Sequence, residues 1–352
     1  MSSEREAWMG ALGKVASFVV LNHLMISILI RLNSSKTSKD GGMVKYLLSP
    51  ETVTIEANNT DATLRTLINL TAPVPCNYKS LESCLLILRT ARVTYQSNEN
   101  ILKLNKFYEE LDQLEAIYYS NRTKLTHSDK QIIVIEGLNG SGKSTLIENL
   151  LDYCDNICKI DLPKDFLVTR SVLLSIFPFQ LAYLHELVSL YYVSLLALLN
   201  TQRGQIIVIE KFYHSALTQN VCLNVNSKEE IAALKKQIFQ WPIDLVVPNL
   251  CIYLTCGSDI RQIRNKNNNG SSIAERSSER NKARDAKVLT TFQKIEGPLT
   301  IAIDSNISPN DVLSIAIKAM SDNNIAFNVR ESYKDNKRVS MGIYGAYNDI
   351  IP

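Results

Sequence analysis

From residue 131 onward, short unbroken apolar runs alternate with longer segments of helical period. The runs are Gln131–Glu136, Asn156–Leu162, Gln205–Glu210, Leu250–Cys256 and Leu299–Asp304. They are rich in Ile, Val and Leu and do not alternate with polar residues, which is how strands covered on both faces read. The spacers between them are long enough for crossover helices. This pattern predicts an α/β fold, a parallel sheet of five strands with helices on both faces.

Upstream the period changes. From about Cys76 to Ser120 the pattern is helical. In "NILKLNKFYEELDQLEAIYYSN", Ile101, Leu104, Phe107, Leu111, Leu114 and Tyr118 recur every three or four positions, as in an amphipathic helix packed on a neighbour. One spacer of the α/β region, "FQLAYLHELVSLYYVSLLALLN", is apolar on nearly every side. His185, Glu186 and two serines within it argue against a membrane span and for a helix buried at the centre of the domain. Boundaries follow from composition. Residues 1–60 form a variable segment ending in a Ser/Asn/Lys/Gly-rich linker, residues 61–128 a mostly helical extension, residues 129–322 the α/β domain, and residues 323–352 a polar, loosely ordered tail. Within the first segment, Val15–Ile30 is strongly apolar between Lys14 and Arg31. It reads as part of an organelle transit segment, as a signal anchor or as a buried helix; elsewhere no membrane span is expected.

Composition narrows the partners. The 352 residues carry 38 basic and 35 acidic side chains, a net charge of +3, so no nucleic acid is expected as partner. Seven cysteines without framework spacing read as reduced thiols.

The chemistry sits behind one hexapeptide that occurs twice. "QIIVIE" fills Gln131–Glu136 and again Gln205–Glu210. The first copy runs into Gly137-Leu138-Asn139-Gly140-Ser141-Gly142-Lys143-Ser144, followed by Thr145 and a helical stretch. This is the G-x-x-x-x-G-K-[ST] phosphate loop in its strand–loop–helix context. Curled backbone N–H groups and a helix N-terminus form an anion cradle. Lys143 supplies a mobile charge for β- and γ-phosphates, and the Ser144 hydroxyl is suited to Mg2+. The second copy runs into "EKFYHS", too polar for a core. Glu210 would orient Mg2+, Lys211 would neutralise phosphate, and an aromatic would lie beside a base or sugar. Parallel strands end on one side of a sheet, so both sequences can serve one crevice. His214 fits a hydrogen-bonded structural residue better than a base. Downstream, Arg276, Arg280 and Arg284 share a helical face, either a solvated charged surface or a basic lid.

The segments "IVIEGLNGSGKST", "IIVIEKFYHSA", "WPIDLVVPNLCIYLTCGSDIRQIR" and "IAIDSNISPNDVL" together resemble the thymidylate kinase-like family over roughly residues 75–322. "FYHS" and "WPIDLVVPNL" are most similar to its mitochondrial UMP-CMP kinase 2 branch. The resemblance implies a P-loop nucleoside monophosphate kinase. It would move the γ-phosphoryl group of ATP to UMP, CMP or dTMP with Mg2+, in mitochondria, with the cytoplasm as alternative. It implies that Lys143, Glu210 and Lys211 act in catalysis and that residues 137–145 with Arg264 hold ATP. Lys211, Phe212, Tyr213, Ser215 and Gln219 would meet the acceptor, and Ser144 and Glu210 the metal. A homodimer is common in such a family, and helix Phe179–Leu199 could supply its interface. The chain also departs from the family pattern. Asn139 stands for an aspartate, and Glu210-Lys211-Phe212 for Asp-Arg-Tyr. Each change could cost about one to three kcal/mol of transition-state stabilisation. A catalytically weak or inactive nucleotide-binding homologue is therefore the alternative, with a nucleoside acceptor as a third reading.

Overall fold

Each apolar run becomes a strand. The computed structural model describes residues 44–47, 52–55, 80–95, 104–126, 131–162, 170–200, 204–267 and 278–334; Val15–Ile30, Ile101 and Arg276 lie outside the described residues. Strands β1 (Val44–Leu47) and β2 (Thr52–Ile55) pair with each other. They straddle the division between a unit of residues 1–45 with 54–57 and a larger unit that holds the rest of the chain. The larger unit contains β3 (Gln131–Gly137), β4 (Ile157–Ile160), β5 (Ile206–Glu210), β6 (Leu250–Thr255) and β7 (Thr300–Asp304). They form one five-stranded sheet in the order β4-β5-β3-β6-β7, with every neighbouring pair parallel. The chain leaves β3 toward one edge of the sheet, returns to β5 beside it, and then crosses to β6 on its other side. The carboxyl end of β3 is therefore a topological switch point, where open α/β sheets bind ligands.

The two identical hexapeptides are neighbours in this sheet, but they are not aligned like with like. Gln131 pairs with Ile206 and Ile135 with Glu210, a stagger of one residue. Residues opposite each other in a sheet share a face, and successive residues alternate faces. The stagger therefore sends each residue of one copy to the face opposite its twin. Ile133 and Ile135 join Ile206 and Val208 under α3 (Lys143–Tyr153) and α10 (Pro309–Asp322), with Leu146, Leu150, Ala316 and Met320. Ile132 and Val134 join Ile207 and Ile209 on the other face, in the larger core.

That larger core includes the extension. Helices α1 (Leu81–Thr94) and α2 (Asn105–Thr126) pack on α5 (Phe179–Asn200), with the short α4 (Arg170–Ile176) beside it. Leu104, Phe107, Leu111, Leu114 and Tyr118 are all buried, so the three-to-four spacing marks one continuous contact stripe. Helix α5 is long and apolar enough to cross a membrane, yet 72% of its most apolar stretch is buried within the protein. The face suggested for a dimer interface is thus in good part occupied by α1 and α2 of the same chain. Asp244, from "WPIDLVV", ties these helices together. Its carboxylate accepts from the Leu81 N–H at 2.8 Å and from the Tyr119 and Tyr191 hydroxyls at 2.5 Å, and its carbonyl oxygen accepts from Tyr118 at 2.9 Å. The Leu81 N–H is one of the amides that a helix start leaves without an internal partner.

Helix α6 (Tyr213–Asn224), α7 (Lys228–Ala233), α8 (Ser258–Asn267) and α9 (Ser278–Lys294) complete the larger unit with the one-turn α11 (Glu331–Lys334). Lys287 and Lys294 of α9 donate to the carbonyls of Cys222 and Val225 and of Ile231 and Ala232, at the C-terminal ends of α6 and α7.

The expectation of a loose tail from residue 323 needs correction for its first part. Gln131 takes the Ala326 N–H on its side-chain oxygen at 2.8 Å and donates to the Asn324 carbonyl at 2.9 Å. Asn156 likewise accepts from the Asn328 N–H and donates to the Ala326 carbonyl. Two side-chain amides thus replace a strand partner, and Ile325 is buried beneath them. No periodicity announces such a segment because its fixed partners are side chains of distant strands.

Candidate functional site

The phosphate loop is shaped by what cannot be placed in it. Gly137 has φ +137°, and a Cβ there would stand 2.6 Å from the Leu254 carbonyl oxygen of β6. Gly142, at φ +91°, turns the chain into α3 in the left-handed region that disfavours a side chain. The Lys143 ammonium donates to the Leu138 carbonyl at 2.9 Å, so its charge rests on the loop's own backbone. Lys143 is buried, and desolvation with the nearby Lys211 charge pushes its pKa down to about 8. The Ser141 hydroxyl, also buried, finds no partner among the described residues.

The two glutamates that end the hexapeptides have opposite fates. Glu136 is fully buried. One carboxylate oxygen accepts from the Phe212 and Ser215 N–H groups at 2.8 and 3.2 Å, and the other from the Ser215 hydroxyl. It caps the N-terminus of α6 from the neighbouring strand, in place of the residue at the cap position itself, Phe212, whose side chain makes no capping bond. Burial raises its pKa. Glu210, on the other face, accepts from the Ser144 hydroxyl at 3.1 Å and lies 3.8 Å from the Lys159 ammonium. Lys211 then bends back. Its φ of +61° is uncommon for a side-chain-bearing residue. Its N–H is held by the Ile135 carbonyl at 3.0 Å, and its ammonium donates to Asn139 Oδ1 at 3.1 Å. Strain of this kind, held by a neighbouring strand, is characteristic of functional positions. Asn139 is thus bonded to Lys211, and Glu210 to Ser144.

Two cavities flank this bridge. One, of about 400 Å3, lies over the loop and α3 from Gly140 to Leu146 and is closed by Arg264, Ser305, Ile307 and Pro309. Arg264 donates to the Ser305 carbonyl at 2.8 Å and reaches the Gly140 carbonyl at 3.5 Å. The other, of about 210 Å3, is bounded by Phe107, Leu173, Glu186, Leu190, Lys211 and Phe212, with Leu162, His185, Ser189, Ser215, Ala216 and Gln219 completing it.

The structure brings Gly137 through Thr145, Glu210 and Lys211 together, with Arg264 at the far side of the loop. Phe212, Ser215 and Gln219 line the smaller cavity, although Ser215 spends its hydroxyl on Glu136. Tyr213 does not line it, which corrects its expected role as an acceptor contact. Its hydroxyl donates to the Gln240 carbonyl at 3.0 Å and its ring packs on Trp241, because the first turn of α6 points it into the core. His214 is buried against Phe292, with ring centroids 4.4 Å apart, and burial lowers its pKa to about 3. Arg280 falls in the first turn of α9, and Arg284 is exposed on it. Arg261 of α8 pairs with Asp285 of α9, bracketing the segment expected to act as a lid.

Sequence reasoning missed Phe107, Leu162, Leu173, His185, Glu186 and Ser189 as cavity residues. For α5 a signal existed: polar residues at 185, 186 and 189 interrupt an otherwise apolar helix on one face. For Phe107 no local signal distinguishes a cavity wall from a core position.

No protein-family model matches the chain, and no curated protein is matched either. Among solved structures, a thymidylate kinase from Candida albicans is 19% identical, with a TM-score of 0.40, over 57% of this chain and 97% of its own. A deoxyadenosine kinase from M. mycoides, with dCMP and dCDP bound, is 14% identical, with a TM-score of 0.38, over 55% of this chain and all of its own. The same kinase with dATP is 12% identical, with a TM-score of 0.34 over 54% of this chain. The mitochondrial UMP-CMP kinase 2 branch receives no support from these likenesses.

Proposed function

We propose that the protein is a nucleoside monophosphate kinase that transfers the γ-phosphoryl group of ATP to a pyrimidine nucleoside monophosphate. One observation carries the reading: Lys211 lines the smaller cavity while its ammonium touches Asn139 of the loop beneath the larger one. A single cation thus links the smaller cavity to the phosphate loop, whose next residues from Gly140 on line the larger one, an arrangement suited to transfer between two bound phosphates.

Lys143 would leave the Leu138 carbonyl for the β- and γ-phosphates, and the unpaired Ser141 hydroxyl lies among the residues that would receive them. Ser144 and Glu210 present adjacent hard oxygen donors, which fits Mg2+. When bound, Mg2+ supplies positive charge to the β- and γ-phosphate oxygens. The bond from the γ-phosphorus to the β–γ bridging oxygen breaks, a bond to an acceptor phosphate oxygen forms, and ADP carries away the electron pair. Lys211 neutralises the acceptor phosphate, which is already ionised and needs no base. Neither His185 nor His214 is suited to be one, since burial lowers their pKa values to about 4 and about 3 and makes both weak proton acceptors.

The test is ADP release from ATP and Mg2+ with UMP, CMP and dTMP. Turnover with at least one, absent in Lys143→Ala, is expected. No ADP above that control with any monophosphate overturns the proposal.

A further inference from the structure

We propose that Lys159 is a positioning residue that shields Glu210 until a divalent cation reaches that carboxylate, and then rests on Asp161 alone. The inference rests on Glu210 being the metal carboxylate of the reading above. Lys159 lies on the edge strand β4, where it pairs with Val208 of β5. Glu210 stands two residues beyond Val208, so a period of two puts both side chains on one face of the sheet. Both oxygens of Glu210 are engaged there. Oε1 accepts from the Ser144 hydroxyl at 3.1 Å, and Oε2 lies 3.8 Å from the Lys159 ammonium. That ammonium is shared: Asp161 Oδ1 is 3.0 Å from it.

The two contacts of Lys159 are unequal. At 3.0 Å the ammonium makes a charge-assisted hydrogen bond to Asp161. At 3.8 Å its contact with Glu210 is beyond hydrogen-bond length and purely electrostatic. Lys159 can therefore withdraw from Glu210 without giving up a hydrogen bond. Glu210 and Lys159 are also less open to solvent than Asp161, with side chains 23%, 30% and 67% exposed, so charge beside Glu210 is screened less than charge beside Asp161. A divalent cation on Glu210 and an ammonium next to it repel each other. Asp161 gives that repulsion an outlet, a second carboxylate on which the ammonium can settle. Lys159 thus neutralises Glu210 against the triphosphate's negative charge while no metal is bound, and it weakens the carboxylate's hold on a bare cation. The site then favours a cation that arrives together with phosphate charge.

The experiment measures binding rather than turnover. ATP is titrated calorimetrically into the full chain with Mg2+ and with a chelator, and the ratio of the two dissociation constants is the Mg2+ gain. Lys159→Met, Lys159→Arg, Asp161→Asn and the double variant of Lys159→Met with Asp161→Asn are treated alike, each checked for folding by its melting curve. Lys159→Met should raise the gain about two- to tenfold, and Lys159→Arg, which keeps the charge, should stay near the wild type. Asp161→Asn should lower the gain, because the ammonium is then left with Glu210. In the double variant the gain should match that of Lys159→Met, since no ammonium remains for Asp161 to hold. A gain that falls or stays unchanged in Lys159→Met overturns the proposal, as does a gain that rises in Asp161→Asn. So does an equal loss from Asp161→Asn with and without Lys159, which would make Asp161 act by its own charge. A wild type without any Mg2+ gain removes the metal role of Glu210 as well.

Discussion

The two copies of "QIIVIE" share their residues and their sheet but not their work. Glu136 is sealed beneath α6, where it holds Phe212 and Ser215 in place. Glu210 opens onto the loop face, bonded to Ser144 and near Lys159. The cause is the one-residue stagger that pairs Ile135 with Glu210. A period of two turns that small displacement into a change of face. Identity of sequence therefore does not carry identity of role, even between adjacent strands; register decides. The copies still cooperate, since Glu136 fixes the helix that begins just after Lys211.

Substitution should separate the copies by readout. Glu136→Ala leaves three donors of α6 unpaired in a buried place, and should lower unfolding free energy by about 4 kcal/mol, measured by chemical denaturation. Glu210→Ala should leave stability within about 0.5 kcal/mol and lower kcat/KM about 100- to 1,000-fold. Lys211→Gly relieves a positive φ and removes a cation; it should raise stability by about 1 kcal/mol while turnover falls. This result would identify Lys211 as strain retained for function.

The remaining effects are in pH. The pKa of Lys143 falls from 10.5 to about 8 on folding, so the unfolded chain holds that proton more tightly. Stability should therefore rise with pH between about 8 and 10.5, a slope that Lys143→Met removes. A bound triphosphate favours the charged form, so ATP affinity should decline above about pH 8. Lys211→Ala, by removing a like charge, should move that decline upward, whereas Glu210→Gln should move it downward. Glu136 gives the opposite slope: its pKa is raised on folding, so stability falls as pH rises from about 4.5 to its folded value. Glu136→Gln should flatten it.

Much of this architecture was legible in the sequence. The five apolar runs match the strands to within two residues at each end, because burial on both faces leaves no room for polar alternation. The phosphate loop was legible because its glycines answer steric demands, as at Gly137 against the Leu254 carbonyl. What stayed hidden depends on register and on distant pairing. Nothing local tells Glu136 from Glu210, or shows that Tyr213 faces the core while Phe212 faces the cavity. Asp244 in "WPIDLVV" reads as part of a kinase motif, yet its partners are Leu81, Tyr119 and Tyr191. Gln131 and Asn156 hold the segment after residue 323 through side-chain amides that no periodicity encodes.

The most direct test of the division between the copies is the Mg2+ dependence of nucleotide binding. ATP affinity is measured with Mg2+ and with a chelator, in the wild type, in Glu136→Gln and in Glu210→Gln. The account predicts that Mg2+ tightens binding in the wild type and in Glu136→Gln, and that Glu210→Gln loses most of that gain. Equal loss in both variants, or a full Mg2+ response in Glu210→Gln, would contradict it.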